Sequence, residues 1–259
     1  MSVLKLPTPP GWRNGDAPLG WVSAGFVIAL SVPFWWGLAA ASRGDYLTGT
    51  VMIGVTVSPL LIVASLVIPV FGRSTVRTTV DSSGTSLRPG RWFCIFCYVG
   101  MVSFIVSGLL FVRFVPTGDL DIPISRGMRI FSPMLLASGV VVAILALVSA
   151  WRRGGIGYVK LTPAGIDVAN IVATKYVEWT DIVEISDSTE TKRTRKAIVL
   201  RLSDDTEEII DGADIYVPRG TALYWMVRHY WRHPSDRGEL TDSRAVDRLR
   251  SENFDVEVR

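Results

Sequence analysis

The chain has 259 residues, of which 49% are hydrophobic and 20% are charged, and its formal net charge is +3. Residues 1–151 carry 10 Lys and Arg against 5 Asp and Glu, whereas residues 152–259 carry 17 against 19. The basic excess lies in the apolar half, where membrane-flanking loops account for it, and no nucleic-acid-binding pattern is present. Two cysteines and no cleavable signal-peptide pattern argue against a disulfide-rich secreted protein.

Four uncharged apolar stretches approach the ~20 residues that a helix needs to cross the hydrocarbon core of a bilayer. They are residues 20–41, 49–71, 92–112 and 130–151. Because lipid offers no hydrogen-bond partner to an open backbone, each stretch is predicted to be helical. The sequence therefore predicts a transmembrane four-helix bundle within residues 1–151.

The Lys and Arg residues beside these spans predict the orientation. If both termini are cytoplasmic, eight cations lie inside and four lie outside. The inner cations are Lys5, Arg13, Arg73, Arg77, Arg88, Arg91, Arg152 and Arg153, and the outer ones are Arg43, Arg113, Arg126 and Arg129. We therefore expect a multi-pass protein of the plasma (inner) membrane with both termini in the cytoplasm.

After Trp151 the pattern changes from continuous to alternating apolar residues, which predicts β-strands. The predicted strands are 158–161, 166–168, 176–179, 182–185, 197–202 and 207–210. Residues 221–232 follow as an amphipathic helix. Its apolar stripe consists of Leu223, Met226, Val227 and Tyr230. This order predicts a small cytoplasmic α+β domain over residues 152–240, with residues 241–259 as a C-terminal tail.

Two segments of this domain carry a resemblance to a known family. LTPAGIDV (161–168) and VEWTDIVEI (177–185), followed by a polar hairpin and a helix, resemble bacterial pleckstrin-homology-like (PH-like) domains. The resemblance covers roughly residues 156–233. In addition, HYWRHPSDRGEL (229–240) is similar to the ends of small actinobacterial membrane proteins of this kind. The resemblance implies a PH-like fold that docks proteins or lipid head groups. Trp179, at the head of an alternating strand, is predicted to lie in the core.

The loop between the second and third spans repeats the spacing of the first of these segments. VDSSGTSL (80–87) has an apolar residue, a glycine four positions later and another apolar residue three beyond that, as LTPAGIDV does. Either residues 74–90 are the hairpin of a duplicated unit, or the match is coincidence in a Ser- and Thr-rich loop. If they form a hairpin, we expect it to join the sheet of the C-terminal domain, because open strand edges tend to be covered.

Few residues suggest catalysis or metal binding. No span contains Asp, Glu, Lys or His, which argues against an ion-coupled transporter. His229 and His233 have a spacing that can chelate a metal, but further ligands are missing, so two interfacial histidines are the simpler interpretation. Cys94 and Cys97 open a membrane span and are interpreted as small apolar helix residues. We therefore predict no catalytic residue, no metal site and no cofactor.

A basic hairpin tip is the one candidate binding site. It contains Lys192, Arg193, Arg195 and Lys196. On a domain tethered to an anionic leaflet, each such cation near the surface contributes about 1 kcal/mol to lipid binding. The alternative is a solvated turn whose charges protect the neighbouring strands.

These observations favour a non-enzymatic accessory or scaffolding subunit of a larger plasma-membrane complex. Its partners would be integral-membrane proteins and membrane lipids, and the resemblance points to envelope lipid transport or a respiratory assembly. Small residues such as Ser103, Ser107 and Gly139 would let its helices pack closely, against partners or within the chain. One alternative is a stand-alone sensor of anionic lipid, and another is a membrane transporter or enzyme.

Overall fold

The chain is built from two compact units, seen in a computed structural model. The model describes residues 6–12, 17–71, 75–169, 174–189 and 194–256. The helical unit contains residues 19–66 and 94–152, and the sheet unit contains the rest. The chain passes between the two units four times. Each unit is therefore assembled from stretches that are far apart in sequence.

Four helices make up the helical unit, and each is long and apolar enough to cross a membrane. They are α1 (Ala17–Ser42), α2 (Tyr46–Val70), α3 (Arg91–Phe114) and α4 (Arg126–Arg152). Each helix covers nearly all of one predicted span, which confirms the prediction of four apolar helices. Arg91, Arg126 and Arg152 stand at the helix ends, where a charged group can reach the membrane interface.

Small residues allow the helices of this unit to approach one another closely. A Cβ added at Gly54 of α2 would lie 2.7 Å from the Cβ of Ser107 on α3, and one added at Gly49 would lie 2.9 Å from the Cβ of Ala41. Ser107 donates its hydroxyl to the carbonyl of Ser103 at 2.6 Å, so its polar group is satisfied within α3. These small residues therefore pack within the chain, by the close approach that is typical of membrane helices.

The connection between α3 and α4 is fixed to the connection between α1 and α2. Trp36 donates its indole N–H to the carbonyl of Asp121 at 2.8 Å, and the guanidinium of Arg43 pairs with the carboxylate of Asp121 at 3.1 Å. The backbone N–H of Asp121 donates to the hydroxyl of Thr48 at 3.0 Å. Asp121 thereby joins the α3–α4 connection to α1 and α2 at this end of the unit.

Five antiparallel strands form the first sheet of the sheet unit, in the spatial order β1-β2-β3-β4-β5. They are β1 (Arg77–Asp81), β2 (Gly84–Arg88), β3 (Tyr158–Leu161), β4 (Gly165–Ala169) and β5 (Thr174–Glu178). Strands β1 and β2 are the hairpin between α2 and α3, and β2 pairs with β3. This confirms that the loop forms a hairpin that joins the sheet. A side chain at Gly84 would collide with the carbonyl oxygen of Leu161, so the close pairing requires glycine.

Side-chain contacts hold the hairpin in place. Lys160 of β3 donates to the carboxylate of Asp81 at 2.8 Å and to the hydroxyl of Ser83 at 2.6 Å. These hydrogen bonds, with Lys160 contributing most, hold the pKa of Asp81 well below its usual range. On the opposite face, Leu87 is fully buried in the core of the unit. The hairpin is therefore an integral part of the sheet unit.

Three further strands form a second antiparallel sheet in the order β6-β7-β8. They are β6 (Ile182–Ser186), β7 (Ile198–Leu202) and β8 (Glu207–Ile210), followed by the short helix α5 (Ala213–Tyr216) and by α6 (Thr221–Arg232). Every strand predicted after Trp151 is present within two residues of its predicted ends, and α6 has the predicted bounds. The predicted apolar stripe of α6 is completely buried, which confirms that this face packs into the core.

Trp179 lies between β5 and β6 and is only 2% exposed, as predicted. Its indole N–H donates to the carbonyl of Thr162 at 2.8 Å, which satisfies the one polar atom of the side chain. The guanidinium of Arg237 lies over the ring at 5.1 Å. Trp179 therefore joins the turn after β3 to the segment that follows α6.

The sheet unit continues beyond residue 240, where the sequence analysis ends the domain. A 3-10 segment (Pro234–Thr241) leads into α7 (Ser243–Ser251), whose Ala245 and Leu249 are buried in the core. The carboxylate of Asp242 caps α7 by accepting the N–H of Arg244 at 2.9 Å. Residues 243–251 are thus a packed helix, because their apolar residues at helical spacing cover the core next to α6.

A buried polar network joins α7 to α6. Tyr230 donates its hydroxyl to Glu239 at 3.2 Å, and Arg248 donates to both carboxylate oxygens of Glu239 at 2.8 and 2.7 Å. Arg248 holds the pKa of Glu239 below its usual value. Burial, together with the nearby Glu239 carboxylate, raises the pKa of Tyr230. The network therefore stays in its charge-paired form at neutral pH.

Candidate docking cleft

A cleft of about 950 Å³ lies within the sheet unit. We call it the β6–α6 cleft, since β6 and one face of α6 line it. Its lining residues are Pro10, the run 183–187, Arg201, Leu202, Asp205, Thr206, Glu207, Tyr224, Arg228, Trp231 and Arg232. The volume is within the range of about 300–1,000 Å³ that is usual for ligand sites.

The first wall is an edge strand. In the second sheet β6 pairs on one side only, with β7, so its other side has no neighbouring strand among the described residues. Ile182 and Ile185 are buried and anchor the strand to the core. The register of the pairing shifts between Ile182 and Glu184, and Val183 at this bulge is 61% exposed. The cleft therefore presents a strand edge together with an exposed apolar side chain.

The second wall is the face of α6 next to its buried stripe. Tyr224, Arg228 and Trp231 recur at spacings of four and three residues, which places them on one side of the helix. Arg228 donates to the hydroxyl of Tyr224 at 3.2 Å, and Trp231 donates its indole N–H to the carbonyl of Ile182 at 3.0 Å. Burial raises the pKa of Tyr224, which keeps its hydroxyl protonated at neutral pH. Hydrogen bonds thus hold this wall rigid and connect it to β6.

The floor and rim of the cleft carry both signs of charge. Arg201 pairs with Glu184 at 3.0 Å and with Glu207 at 3.4 Å, which joins the three strands of the second sheet. Asp187, Asp205 and the two arginines of α6 add further charges. The lining residues include no histidine, cysteine or lysine. What this surface offers is hydrogen bonding, ion pairing and apolar contact.

The N-terminal segment Leu6–Trp12 closes one end of the cleft. Trp12 is buried and donates its indole N–H to the carbonyl of Ala197 at 3.0 Å, while its ring meets the ring of Tyr224 edge-on at 5.7 Å. The indole of Trp225 donates to the carbonyl of Pro7 at 3.0 Å. The N–H of Gly11 donates to the carboxylate of Asp187 at 2.9 Å, just beyond the end of β6. A proline-rich segment is thus already bound next to the open strand edge.

The chain matches no family model, no curated protein and no solved structure. The function must therefore be inferred from the geometry of the chain itself.

The predicted basic tip is only partly described. Lys192 and Arg193 lie outside the described residues. Arg195 forms two hydrogen bonds with the carboxylate of Asp214, at 2.8 and 2.9 Å, and the ammonium of Lys196 lies 3.5 Å from the same group. Asp214 is fully buried. Arg195 and Lys196 therefore neutralise an internal carboxylate, and lipid contact by the tip stays a prediction.

The two histidines are side by side on α6 and on the residue after it, with ring centroids 4.7 Å apart. The imidazole of His229 lies 3.1 Å from Asp236, and the imidazole of His233 lies 3.7 Å from Asp255. Burial, with a further contribution from Arg248, lowers the pKa of His229. The residues that the structure describes contain no group of three or more His, Cys, Asp or Glu able to hold a metal ion.

The cysteines at the start of α3 are free thiols. Cys97 is buried and its thiol lies 3.2 Å from the hydroxyl of Ser65 on α2. Cys97 therefore contributes to the contact between α2 and α3, in accordance with its interpretation as a small helix residue.

Sequence reasoning did not find the cleft or the bound N-terminal segment. The one signal in the sequence was PTPPGW (7–12), whose prolines and tryptophan are typical of a segment that binds an aromatic surface. The tyrosine and tryptophans of α6 outside its predicted stripe, Tyr224, Trp225 and Trp231, were the matching signal on the helix.

Proposed function

We propose that the chain is a non-enzymatic accessory subunit of a larger membrane complex, and that it docks an extended segment of a partner protein in the β6–α6 cleft. The observation that carries the proposal is an edge strand facing an aromatic helix surface across one open cleft. A strand edge offers backbone N–H and C=O groups to an added strand. Val183 on one wall and Trp231 on the other would contact alternate side chains of that strand.

The arrangement of the sheet unit supports a PH-like fold. Two antiparallel sheets are followed in the chain by one amphipathic helix that fills the core between them, as the resemblance over roughly residues 156–233 implies. In such an arrangement the first strand of the second sheet is an edge and lies beside the helix. The proposed docking position therefore follows from the chain order of the elements.

The helical unit would anchor this docking module in the membrane. Four apolar helices and the excess of cations beside the predicted inner ends support a plasma-membrane protein with cytoplasmic termini. Integral-membrane partners would contact the exposed apolar side chains of these helices. Envelope lipid transport and respiratory assemblies are the complexes that we propose, from the actinobacterial resemblance alone.

Protein docking is favoured over lipid sensing by the charges of the basic tip. Of its four cations, Arg195 and Lys196 are paired with the buried Asp214. A cation that compensates an internal carboxylate contributes less to attraction toward an anionic surface. The β6–α6 cleft, in contrast, is open and large enough for several residues of an extended chain.

Co-purification from the native membrane tests the proposal. Val183→Lys places a charge on the open edge of β6, a change that natural sheets use to block strand addition. The matched control is Val80→Lys, an exposed valine of β1, which is an edge of the other sheet. We expect wild type and Val80→Lys to retain one stoichiometric partner protein and Val183→Lys to lose it.

Two results would contradict the proposal. One is loss of the partner in Val80→Lys together with retention in Val183→Lys, which would place docking at the first sheet. The other is a wild-type protein that purifies without any stoichiometric protein and binds anionic vesicles, which would favour the lipid sensor. Circular dichroism of both variants must match wild type, so that a folding defect is distinguished from a docking defect.

A further inference from the structure

A second depression, the α3–α4 groove, lies within the helical unit and has a volume of about 400 Å³. It is formed by the end of α3, the residues that follow it and one face of the first three turns of α4. Its lining residues are Val112, Pro116, Arg129, Ile130, Pro133, Met134 and Ala137. Six of these seven are apolar, and the volume again suits a ligand site.

The exception, Arg129, places a cation in this apolar groove. An ideal Cβ at Gly118 would lie 3.6 Å from a terminal nitrogen of Arg129, so the guanidinium lies beside the α3–α4 connection. Within the described part of the chain its side chain forms no hydrogen bond or ion pair. Arg43, in contrast, pairs with Asp121, and Arg113 lies over the ring of Phe114 at 5.4 Å. No described residue therefore compensates the charge of Arg129.

The apolar part of the groove lies along α4. Pro133, which is buried inside this helix, and Ala137 belong to it. The groove thus combines a cationic donor at one end with an apolar wall along α4. Ile130 and Met134 on that wall are about two-thirds exposed, and in hydrocarbon such exposure has little cost.

We propose that the α3–α4 groove binds one anionic phospholipid. Its phosphate lies against the guanidinium of Arg129, and one acyl chain follows the apolar wall toward Ala137. Charge complementarity selects the anionic head group. The apolar lining selects an amphiphile over a soluble phosphate ester. This inference concerns the helical unit alone and is independent of the proposed docking of a partner in the β6–α6 cleft.

Native mass spectrometry of the full-length protein in detergent, titrated with dioleoylphosphatidylglycerol, tests the proposal. Arg129→Gln removes the charge, and Ala137→Phe fills the groove without changing charge. Arg113→Gln and Ala143→Phe are the matched controls, because these residues do not line the groove. We expect one tightly bound lipid in wild type and about fivefold weaker binding in Arg129→Gln, the ratio that ~1 kcal/mol per cation produces. Ala137→Phe should weaken binding and both controls should leave it unchanged.

Two further ligands show which parts of the lipid the groove recognises. Glycerol 3-phosphate should not bind, because it has no acyl chain, and dioleoylphosphatidylcholine should bind more weakly, because its own ammonium offsets the phosphate charge. Equal losses in Arg129→Gln and Arg113→Gln would overturn the proposal in favour of general surface charge. Unchanged binding in Ala137→Phe, or saturation by glycerol 3-phosphate, would overturn it as well.

Discussion

The two units of this chain solve the problem of packing in opposite ways. The sheet unit buries large side chains, among them Trp12, Trp179 and Trp225, and satisfies each indole N–H with a backbone carbonyl. In the helical unit small residues such as Gly54 and Ser107 make close contacts between helices, and many large apolar side chains, such as Trp35 and Ile130, are exposed. Water drives large apolar groups inside, whereas lipid leaves them outside and favours close helix contact. The difference is therefore the one expected if the helical unit lies in a membrane.

The largest effect that separates the units is expected from the tryptophans. Trp179→Ala in the full-length chain should lower the free energy of unfolding of the sheet unit by ~3–5 kcal/mol, because it removes a completely buried ring and leaves a cavity. Trp35→Ala, on a side chain of α1 that is 68% exposed, is the control and should have little effect. Urea unfolding followed by hydrogen exchange measures both. Equal losses of unfolding free energy in the two variants would show that Trp35 also has a structural role, which its exposure does not predict.

The second prediction concerns the contribution of the hairpin to the sheet unit. Leu87→Ala on β2 should destabilise this unit by ~2–5 kcal/mol, since Leu87 is fully buried in its core. Val80→Ala on β1 is the matched change at an exposed position. Amide exchange of β3 reports the result, because β3 pairs directly with β2. Slow exchange of β3 in Leu87→Ala would mean that residues after 152 fold without the hairpin.

The third prediction concerns close packing in the helical unit. Gly54→Ala should cost ~1–3 kcal/mol, because the new Cβ would lie 2.7 Å from the Cβ of Ser107 and the helices would have to separate. At Gly25→Ala no atom lies within 4 Å of the new Cβ, so this helical glycine should tolerate alanine or gain stability. Thermal unfolding in detergent compares the two. If Gly54→Ala left the thermal stability unchanged, tight contact between α2 and α3 at this position would be contradicted.

The smallest effect should appear on acidification, in the sheet unit alone, because both histidines of the chain belong to it. Burial lowers the pKa of His229 below its ordinary value of 6.5. The unfolded chain therefore binds a proton more readily than the folded one, and stability is lost as the pH falls through 6.5 toward the folded pKa.

Amide exchange of residues 234–241 at pH 7 and pH 5 should detect this loss. We expect only a small change in stability, since Asp236 opposes part of the effect of burial on the pKa of His229. In His229→Gln the increase in the amide exchange rate between pH 7 and pH 5 should be smaller than in wild type. An unchanged pH dependence in that variant would assign the effect to Asp236 and Glu239.

Much of this fold could be predicted from the sequence. The strands from Tyr158 onward and α6 appear as alternating and helical apolar patterns, and the spacing match between residues 80–87 and LTPAGIDV indicated a possible hairpin, whether or not it is a true repeat. These are local signals, in which each residue reports the environment of its own element. They suffice for elements whose faces are uniformly buried or exposed.

The candidate site was not predictable in the same way. The contacts of Trp12 with Ala197 and of Pro7 with Trp225 join residues 185 and 218 positions apart, and no periodic pattern connects such positions. The basic tip is recognised in the sequence by its charge alone, and charge does not reveal a buried partner such as Asp214. The sequence of α7 does carry a helix signal, namely an Asp at the N-cap followed by apolar residues at helical spacing. The helix is short and rich in arginine, so this signal is weak.

Site-specific photo-crosslinking tests the central claim, that the open edge of β6 docks a partner protein, most directly. A photoreactive amino acid would be placed at position 183 of the full-length protein in its native membrane, and at position 80 in a parallel experiment. The account predicts one defined protein crosslink from position 183 and none from position 80. A protein crosslink from position 80 alone, or only lipid adducts from position 183, would contradict it.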